Sequence, residues 1–228
     1  MHWPLATALI VMLSATALCS FAGSQEVEIT AEPAHHLVLE NEYVRVFQVE
    51  VAPHAATLLH RHRHDYVFVL LGATRISNEV EGKAPVEVTL ADGETLFTAG
   101  GFAHVARNLA DTPFRNVTIE LLQDKKEQSA ISHWPKESGE EAFSGGHRKI
   151  LFVKDGARVS EIDLDPGATF NDDSDGPKLV VAINRIEFSN GKTHREELAP
   201  GGRLWSTRPA FEKKNVGKQP ARFVVLEF

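Results

Sequence analysis

The sequence has one cysteine among its 228 residues. That residue, Cys19, lies close to the N-terminus, so a chain cleaved after residue 22 has none. Without cysteine there is no disulfide, no thiolate metal site and no cysteine nucleophile. Any metal ion would therefore depend on imidazole, carboxylate and water ligands.

Positive charge is also scarce. The chain has 24 Lys and Arg against 31 Asp and Glu, a formal net charge of −7. No basic surface would offset phosphate repulsion, which argues against a nucleic-acid partner. Glycine-rich phosphate loops, nucleophile elbows and a Ser/His/Asp order are missing too. The 43% hydrophobic and 24% charged residues are typical of a soluble globular protein with a substantial core.

The sequence contains one long apolar run, Leu5–Leu18, of roughly 14 residues, short of the about 20 that a bilayer-spanning helix needs. Small residues and then Ser24-Gln25-Glu26 follow it. This pattern favours a signal peptide over residues 1–22, with no membrane span in the mature form and a periplasmic or secreted location. Because no Lys or Arg precedes the run, lipid attachment at Cys19 and an uncleaved membrane anchor remain alternatives.

The mature chain has no stretch with helical periodicity over three turns. Apolar and polar residues alternate instead over Tyr43–Val51, Thr57–His64 and Val86–Leu90, as in half-buried strands. Val67–Leu71 and Leu179–Ile183 are continuous apolar runs, which we expect where both faces of a strand are buried. Turn residues recur about every 8 to 12 positions, a pattern that predicts an all-β sandwich or barrel.

The chain contains an internal repeat. Leu37–Val46 aligns with Ile150–Val159, and both halves end on an apolar strand that closes in a glutamate, Glu120 or Glu227. A period of roughly 110 residues suits duplicated domains rather than a solenoid. The predicted organisation is a signal peptide (1–22), a first domain (30–123), a linker (124–146) and a second domain (147–228).

The strongest chemical signal is a run of alternating histidines in the first repeat. On a strand, His60 and His62 project to one face, and the arginines between them project to the other. Two imidazoles with a further His or carboxylate can hold Zn, Fe, Mn, Ni or Cu and leave positions open for substrate or water. The alternative is a solvated basic strand.

A second signal surrounds His104. A lone histidine on an apolar segment is more often a core residue than a ligand. Here Gly100-Gly101 directly precedes the strand, and such a turn allows close backbone approach and lets His104 begin the strand pointing inward. This setting favours a ligand.

These two segments resemble the paired motifs of the cupin superfamily. The first motif runs Gly, five residues, His-x-His, three or four residues, Glu, six residues, Gly. Two departures stand out: only two residues separate His62 from Asp65, and His64 intrudes as a competing ligand. The matching positions are His54 (for Gly), His60, His62, Asp65 (for Glu) and Gly72.

The second motif runs Gly, five residues, Pro-x-Gly, two residues, His, three residues, Asn. Gly93, Gly101, His104 and Asn108 match it at full spacing, and Ala99 replaces the proline. The resemblance covers about residues 35 to 122 directly, and the second half through the repeat.

The resemblance implies two tandem double-stranded β-helix (jelly-roll) barrels, a bicupin. It implies one divalent transition-metal ion (Fe, Mn, Zn or Ni) in the first barrel, with His60, His62 and His104 as ligands. The fourth ligand stays open between Asp65 by family position, His64 by chemistry, and water. Because cupins commonly dimerise, a homodimer is also implied.

The second repeat lacks these ligands. In the gapless register, His60 and His62 fall on Asp173 and Asp175, and His104 falls on Phe211 or Glu212. A three-carboxylate site is one interpretation, but a solvated turn is the simpler one. We therefore expect a degenerate, structural second barrel.

Two functional hypotheses follow. The first is an exported metalloenzyme, dioxygenase- or isomerase-like, acting on a small organic molecule, with no catalytic residue assigned. The alternative is a non-catalytic metal-binding or small-ligand-binding protein of the cell envelope. Arg61, Arg63 and Arg107 could hold an anionic substrate, but pairing with surface glutamates is favoured. His35 and His36 precede the first strand and have no partner that the sequence identifies.

Overall fold

Strands form nearly all of the regular structure. The computed structural model describes residues 25–123, 138–154, 156–190, 194–208 and 211–228. These residues contain strands and one 3-10 turn, Ile29–Ala31, and among them no helix is long and apolar enough to cross a membrane. The predicted signal peptide and residues 124–137 of the predicted linker lie outside the described residues.

The first half folds into two five-stranded sheets, ordered β1-β4-β9-β6-β7 and β2-β3-β10-β5-β8. Neighbouring strands are antiparallel except β1 with β4, which are parallel. The strands are β1 Val27–Glu28, β2 His35–Glu40, β3 Val44–Val51, β4 His60–His62, β5 Tyr66–Leu70, β6 Thr74–Val80, β7 Val86–Leu90, β8 Thr95–Thr98, β9 Phe102–Asn108 and β10 Phe114–Leu121.

The second half repeats this topology. Its sheets are ordered β11-β12-β13-β20-β15-β18 and β14-β19-β16-β17, so the order β2-β3-β10-β5-β8 of the first half returns as β12-β13-β20-β15-β18. The strands are β11 Gly139–Phe143, β12 Gly146–Lys154, β13 Ala157–Leu164, β14 Thr169–Asp172, β15 Lys178–Ala182, β16 Ile186–Asn190, β17 His194–Leu198, β18 Arg203–Ser206, β19 Phe211–Asn215 and β20 Ala221–Glu227. The predicted all-β fold of two jelly-roll barrels is confirmed.

Among the residues that the structure describes, strand β11 has no counterpart in the first barrel. It pairs antiparallel with β12 and lies within the segment that the sequence assigned to the linker. Glu140 and Glu141 are exposed, and the strand has no buried residue, so it lacks the apolar alternation that identifies a strand.

The two barrels share a core. On β5, Val67 and Val69 face this shared core, whereas Phe68 and Leu70 face the interior of the first barrel. On β15, Leu179 and Val181 likewise face the shared core, while Val180 faces the second barrel. Burial on both faces explains the two continuous apolar runs.

Candidate metal centre

Three predicted ligands meet inside the first barrel. β4 pairs with β9 so that His60 lies opposite His104, and His62 is two residues along the same face. Ring centroids are 4.6 Å apart for His60 and His104, and 5.1 Å apart for His62 from each of the others. The residues are 0%, 2% and 9% exposed for His60, His62 and His104.

Each ring has a nitrogen without a hydrogen-bond partner. The carbonyl oxygen of Leu58 accepts from Nδ1 of His60 at 2.9 Å, and Oδ1 of Asn78 accepts from Nδ1 of His104 at 2.6 Å. These bonds leave both Nε2 atoms as lone-pair donors. His60 Nε2, His104 Nε2 and His62 Nδ1 are buried, and none has a partner among the described residues. Since buried polar atoms are rarely unpartnered, a metal ion fits this set.

A fourth histidine joins this cluster. The nitrogens of His35, His60 and His62 lie within 4.8 Å of one another, and the His35 ring centroid is 4.6 Å from that of His60. Nδ1 of His35 is 2.6 Å from Oε2 of Glu32, which is 3% exposed and also accepts from two backbone N–H groups. A carboxylate that orients an imidazole in this way is a common feature of metal sites.

Sequence reasoning missed His35. The available signal was its spacing from Glu32, a carboxylate three residues before a histidine at the start of a strand. That spacing does not show that β2 and β4 come together, because their proximity is a property of the closed barrel.

His60, His62 and His104 are neutral at ordinary pH. Burial, with the nearby ring of His35, lowers the pKa of His60 to about 4. Burial and His60 lower the pKa of His104 to about 3, and burial with His104 holds the pKa of His62 far below its ordinary value. Burial alone would raise the pKa of Glu32, but hydrogen bonds from His35 and the Leu58 N–H bring it below the usual range. Neutral imidazoles are the form that binds metal.

The two other candidates for fourth ligand lie elsewhere. Oδ1 of Asp65 accepts from the N–H of Gly100 at 2.9 Å, and neither Asp65 nor His64 lines the cavity beside the histidines. Because only two residues separate His62 from Asp65, the Asp65 side chain reaches the Gly100-Gly101 turn rather than the histidines. There the N–H of Gly101 donates to the carbonyl of His62 at 2.7 Å, and a Cβ at Gly100 would collide with the backbone of His64.

The histidines form part of the wall of a cavity of about 220 Å³. Much of the remaining lining is apolar and includes Phe68, Leu90 and Phe114. The Tyr66 ring stacks on His62 with centroids 4.1 Å apart, and burial raises its pKa to about 12. The cavity is the largely apolar, concave kind of site that binds small molecules.

The flanking arginines face outward, as the strand alternation predicts. Arg61 pairs with Glu26 at 2.6 Å, Arg63 with Glu28, and Arg107 with Glu79 at 2.8 Å. None of the three arginines lines the cavity. The favoured interpretation, pairing with surface glutamates, is confirmed.

The gapless register for the second barrel was wrong by one residue. β14 pairs with β19 so that Asp172 lies opposite Phe211, as His60 lies opposite His104. Asp172 therefore corresponds to His60, and Ser174, two residues on, to His62. The loop before β14 is one residue shorter than its counterpart, which alignment without gaps does not capture. Phe211 takes the place of His104, one of the two residues expected there.

No protein-family model and no curated protein matches the sequence. In structure, the chain is similar to a cupin domain from Bordetella pertussis Tohama I, with 30% identity over 38% of this chain and 90% of that one and a TM-score of 0.37. It is also similar to Bacillus subtilis oxalate decarboxylase. One such structure, at pH 4.6, has 12% identity over 82% of this chain and 68% of that one, with a TM-score of 0.56. Another, from work on its Mn(II) centres, has 13% identity over 85% and 74%, with a TM-score of 0.56.

Together with the strand order of both halves, the likeness to oxalate decarboxylase shows the fold. The chain has the cupin fold in two tandem barrels, the arrangement of a bicupin, and the histidine cluster lies in the first barrel.

Proposed function

We propose that the first barrel binds one divalent transition-metal ion through His60, His62 and His104, with His35 as a fourth ligand where the family motif has a carboxylate. The observation that carries this proposal is the set of three buried imidazole nitrogens without partners. Imidazole sets suit Zn, Fe, Ni and Mn in proteins, and the Mn(II) centres belong to a neighbour that shares only the fold.

We further propose that the loaded site acts on a small organic molecule, as a dioxygenase- or isomerase-like enzyme. A bound ion would supply Lewis-acid or redox chemistry at an open coordination position. The protein's own contributions are orientation and exclusion of water: Asn78 and Leu58 fix two imidazole rings, and Tyr66 packs against a third. Residues 1–22 support export to the periplasm or beyond.

One observation favours a non-catalytic binding protein instead. Apart from the histidines and Tyr66, none of the described residues that line the cavity has an ionisable side chain. General acid–base catalysis needs a positioned titratable group, and here the histidines would be committed to the metal. Turnover that vanishes on chelation and returns with one metal would separate the enzyme from the binder.

The test of metal binding uses the full chain, stripped of metal and titrated with Zn²⁺, Mn²⁺, Fe²⁺ and Ni²⁺ by calorimetry. We expect one ion per chain for at least one metal, and at least a 100-fold loss of affinity in His60→Ala. The matched control is His54→Ala, whose side chain is 65% exposed and pairs with Asp111. Equal affinity in His60→Ala and the native protein would contradict the proposal.

The identity of the fourth ligand needs its own variants. His35→Ala should weaken binding about 10- to 100-fold, in the range seen when a supporting group of a metal site is lost. His36→Ala is the control, since His36 is adjacent on β2 and exposed. If Asp65→Asn or His64→Ala weakens binding and His35→Ala does not, the fourth ligand is the one that the sequence analysis suggested.

A further inference from the structure

The cavity beside the histidines has no group that would neutralise an anion. Among the described residues that line it there is no Lys, Arg, Asp or Glu. The nearby cations are already used: Arg61, Arg63 and Arg107 pair with glutamates away from the cavity, and Arg45 pairs with Glu40 and Glu120.

This composition limits where the ligand can carry charge. A divalent ion at the histidines could bind anionic groups within its reach, but a carboxylate elsewhere on the ligand would lie against residues such as Ile76, Leu90 and Phe114. Burying an unpaired charge against apolar side chains costs far more than one hydrogen bond returns. A ligand with a charged group on its body, away from the ion, therefore does not suit this cavity.

Beside the histidines, the polar side chains of the described lining are neutral hydrogen-bonding groups. The hydroxyl of Thr57 accepts from the N–H of Ala106 at 2.9 Å, and the hydroxyl of Thr118 donates to Oδ1 of Asn116 at 2.8 Å. Oδ1 of Asn78 accepts from His104. The amide NH₂ groups of Asn78 and Asn116 can donate to a ligand oxygen.

The volume of the cavity limits the size of the ligand. The cavity measures about 220 Å³, whereas an engineered apolar cavity of about 150 Å³ is enough to bind benzene. Phe68, Phe114 and Tyr66 in the lining offer faces and edges to an aromatic ring. The space therefore fits one ring with a short substituent.

From charge, polarity and volume together, we infer that the first barrel takes a neutral, largely apolar, ring-bearing molecule that carries one hydroxyl or carbonyl group. This inference names the substrate class for the proposed function and rests on it for the role of the histidines. The fit of the apolar body to the cavity requires no metal, so the two can be tested separately.

The experiment compares phenol with oxalate on the metal-free and the Zn²⁺-loaded full chain, by NMR of methyl groups. We expect phenol to shift the methyl signals of Ile76, Val88 and Leu90 saturably in both forms, and oxalate to shift none of them in the metal-free form. Shifts by phenol confined to other methyl groups would overturn the inference, as would saturable shifts of the same three signals by oxalate in the metal-free form.

Val88→Phe tests binding in the cavity specifically, because Val88 lines the cavity and is only half-buried. We expect phenol affinity to fall at least fivefold, with Zn²⁺ affinity unchanged. Val86→Phe on the same strand is the control, since Val86 is 58% exposed and outside the cavity. Leu96→Phe, at a lining residue 38% exposed, repeats the test should Val88→Phe not fold.

The outcomes separate the two proposals. Phenol binding by a chain that binds none of Zn²⁺, Mn²⁺, Fe²⁺ and Ni²⁺ would contradict the metal site and support the ligand class. Zn²⁺ binding with phenol affinity equal in Val88→Phe and the native protein would support the metal site and contradict the proposed ligand class.

Discussion

The two barrels share one strand order but fill the same interior position with opposite chemistry. The four histidine positions of the first barrel are His35, His60, His62 and His104. By strand pairing and repeat register, three of their counterparts in the second barrel are Arg148, Asp172 and Phe211. The histidine nitrogens of the first barrel offer lone pairs to a metal cation, whereas the second barrel contains a cationic side chain, Arg148.

Arg148 is the centre of the second arrangement. It is 8% exposed, its Nε donates to Oγ of Ser160 at 3.0 Å, and its guanidinium pairs with Glu227 and lies 3.7 Å from Asp172. Phe211 packs with Phe170 and other aromatic residues nearby. The comparison teaches that loss of the metal ligands left no void, because a guanidinium and an aromatic cluster occupy the corresponding region.

Substitution of Arg148 should have the largest effect on the free energy of unfolding. Arg148→Met would leave buried Asp172 and Glu227 short of a partner, and breaking a buried ion pair costs about 3–5 kcal/mol. Urea unfolding measures this loss. Arg115→Met is the control, because Arg115 pairs with Glu50 on the surface and such pairs contribute about 0–1 kcal/mol. A loss under about 1 kcal/mol in Arg148→Met would show that Arg148 does not hold the site together.

The barrels should also differ in their response to acid. In the metal-free protein the folded-state pKa of His60 is about 4 and that of His104 about 3, below the value of about 6.5 in an unfolded chain. The unfolded state therefore binds more protons, and the free energy of unfolding falls as pH drops from about 6.5 towards 4. For His60 alone the loss is roughly 3 kcal/mol.

Asp172, the counterpart of His60, titrates below this window. Glu227 beside it acts in the opposite direction, because burial raises its pKa to about 7 and the folded state then binds more protons than the unfolded one. Burial would raise the pKa of Asp172, but hydrogen bonds with Glu227 and Ser174 bring it to about 2. Denaturant unfolding of the metal-free chain at several pH values measures the slope, which the double variant His60→Gln/His104→Gln should reduce and exposed His54→Gln should not. An unchanged slope in the double variant would mean that other groups cause the acid sensitivity.

The repeat and the strand pattern were sufficient to predict two all-β domains, and the resemblance to the cupin superfamily implied the jelly-roll barrels. Alternation identified β3, and continuous apolar runs identified β5 and β15, because a strand between two cores has no polar face. The two-residue period of a strand predicted that His60 and His62 share a face. The resemblance to the cupin motifs implied that His104 joins them.

The remaining features of the two barrels depended on tertiary contacts and loop lengths that the sequence pattern does not show. His35 approaches His60 only because closure of the barrel brings β2 and β4 together, and the local sequence does not encode that distance. Asp65 matches the family position, yet the loop after His62 directs its carboxylate to Gly100. In the second barrel, a one-residue difference in loop length moved the counterpart of His60 from Asp173 to Asp172.

An asparagine that both barrels share should contribute equally to the stability of each barrel, and less than Arg148 does. Asn108 and Asn215 occupy equivalent positions, and each amide donates to backbone carbonyls on both sides of a turn: Val51, Ala52 and Thr112 in the first barrel, Leu164 and Gln219 in the second. Asn108→Ala and Asn215→Ala should each lower the free energy of unfolding by about 2 kcal/mol, because buried acceptors lose their donor. Urea unfolding tests this, with metal affinity as the second readout. Unequal losses would show that the shared asparagine has acquired a different role in the barrel that contains the histidines.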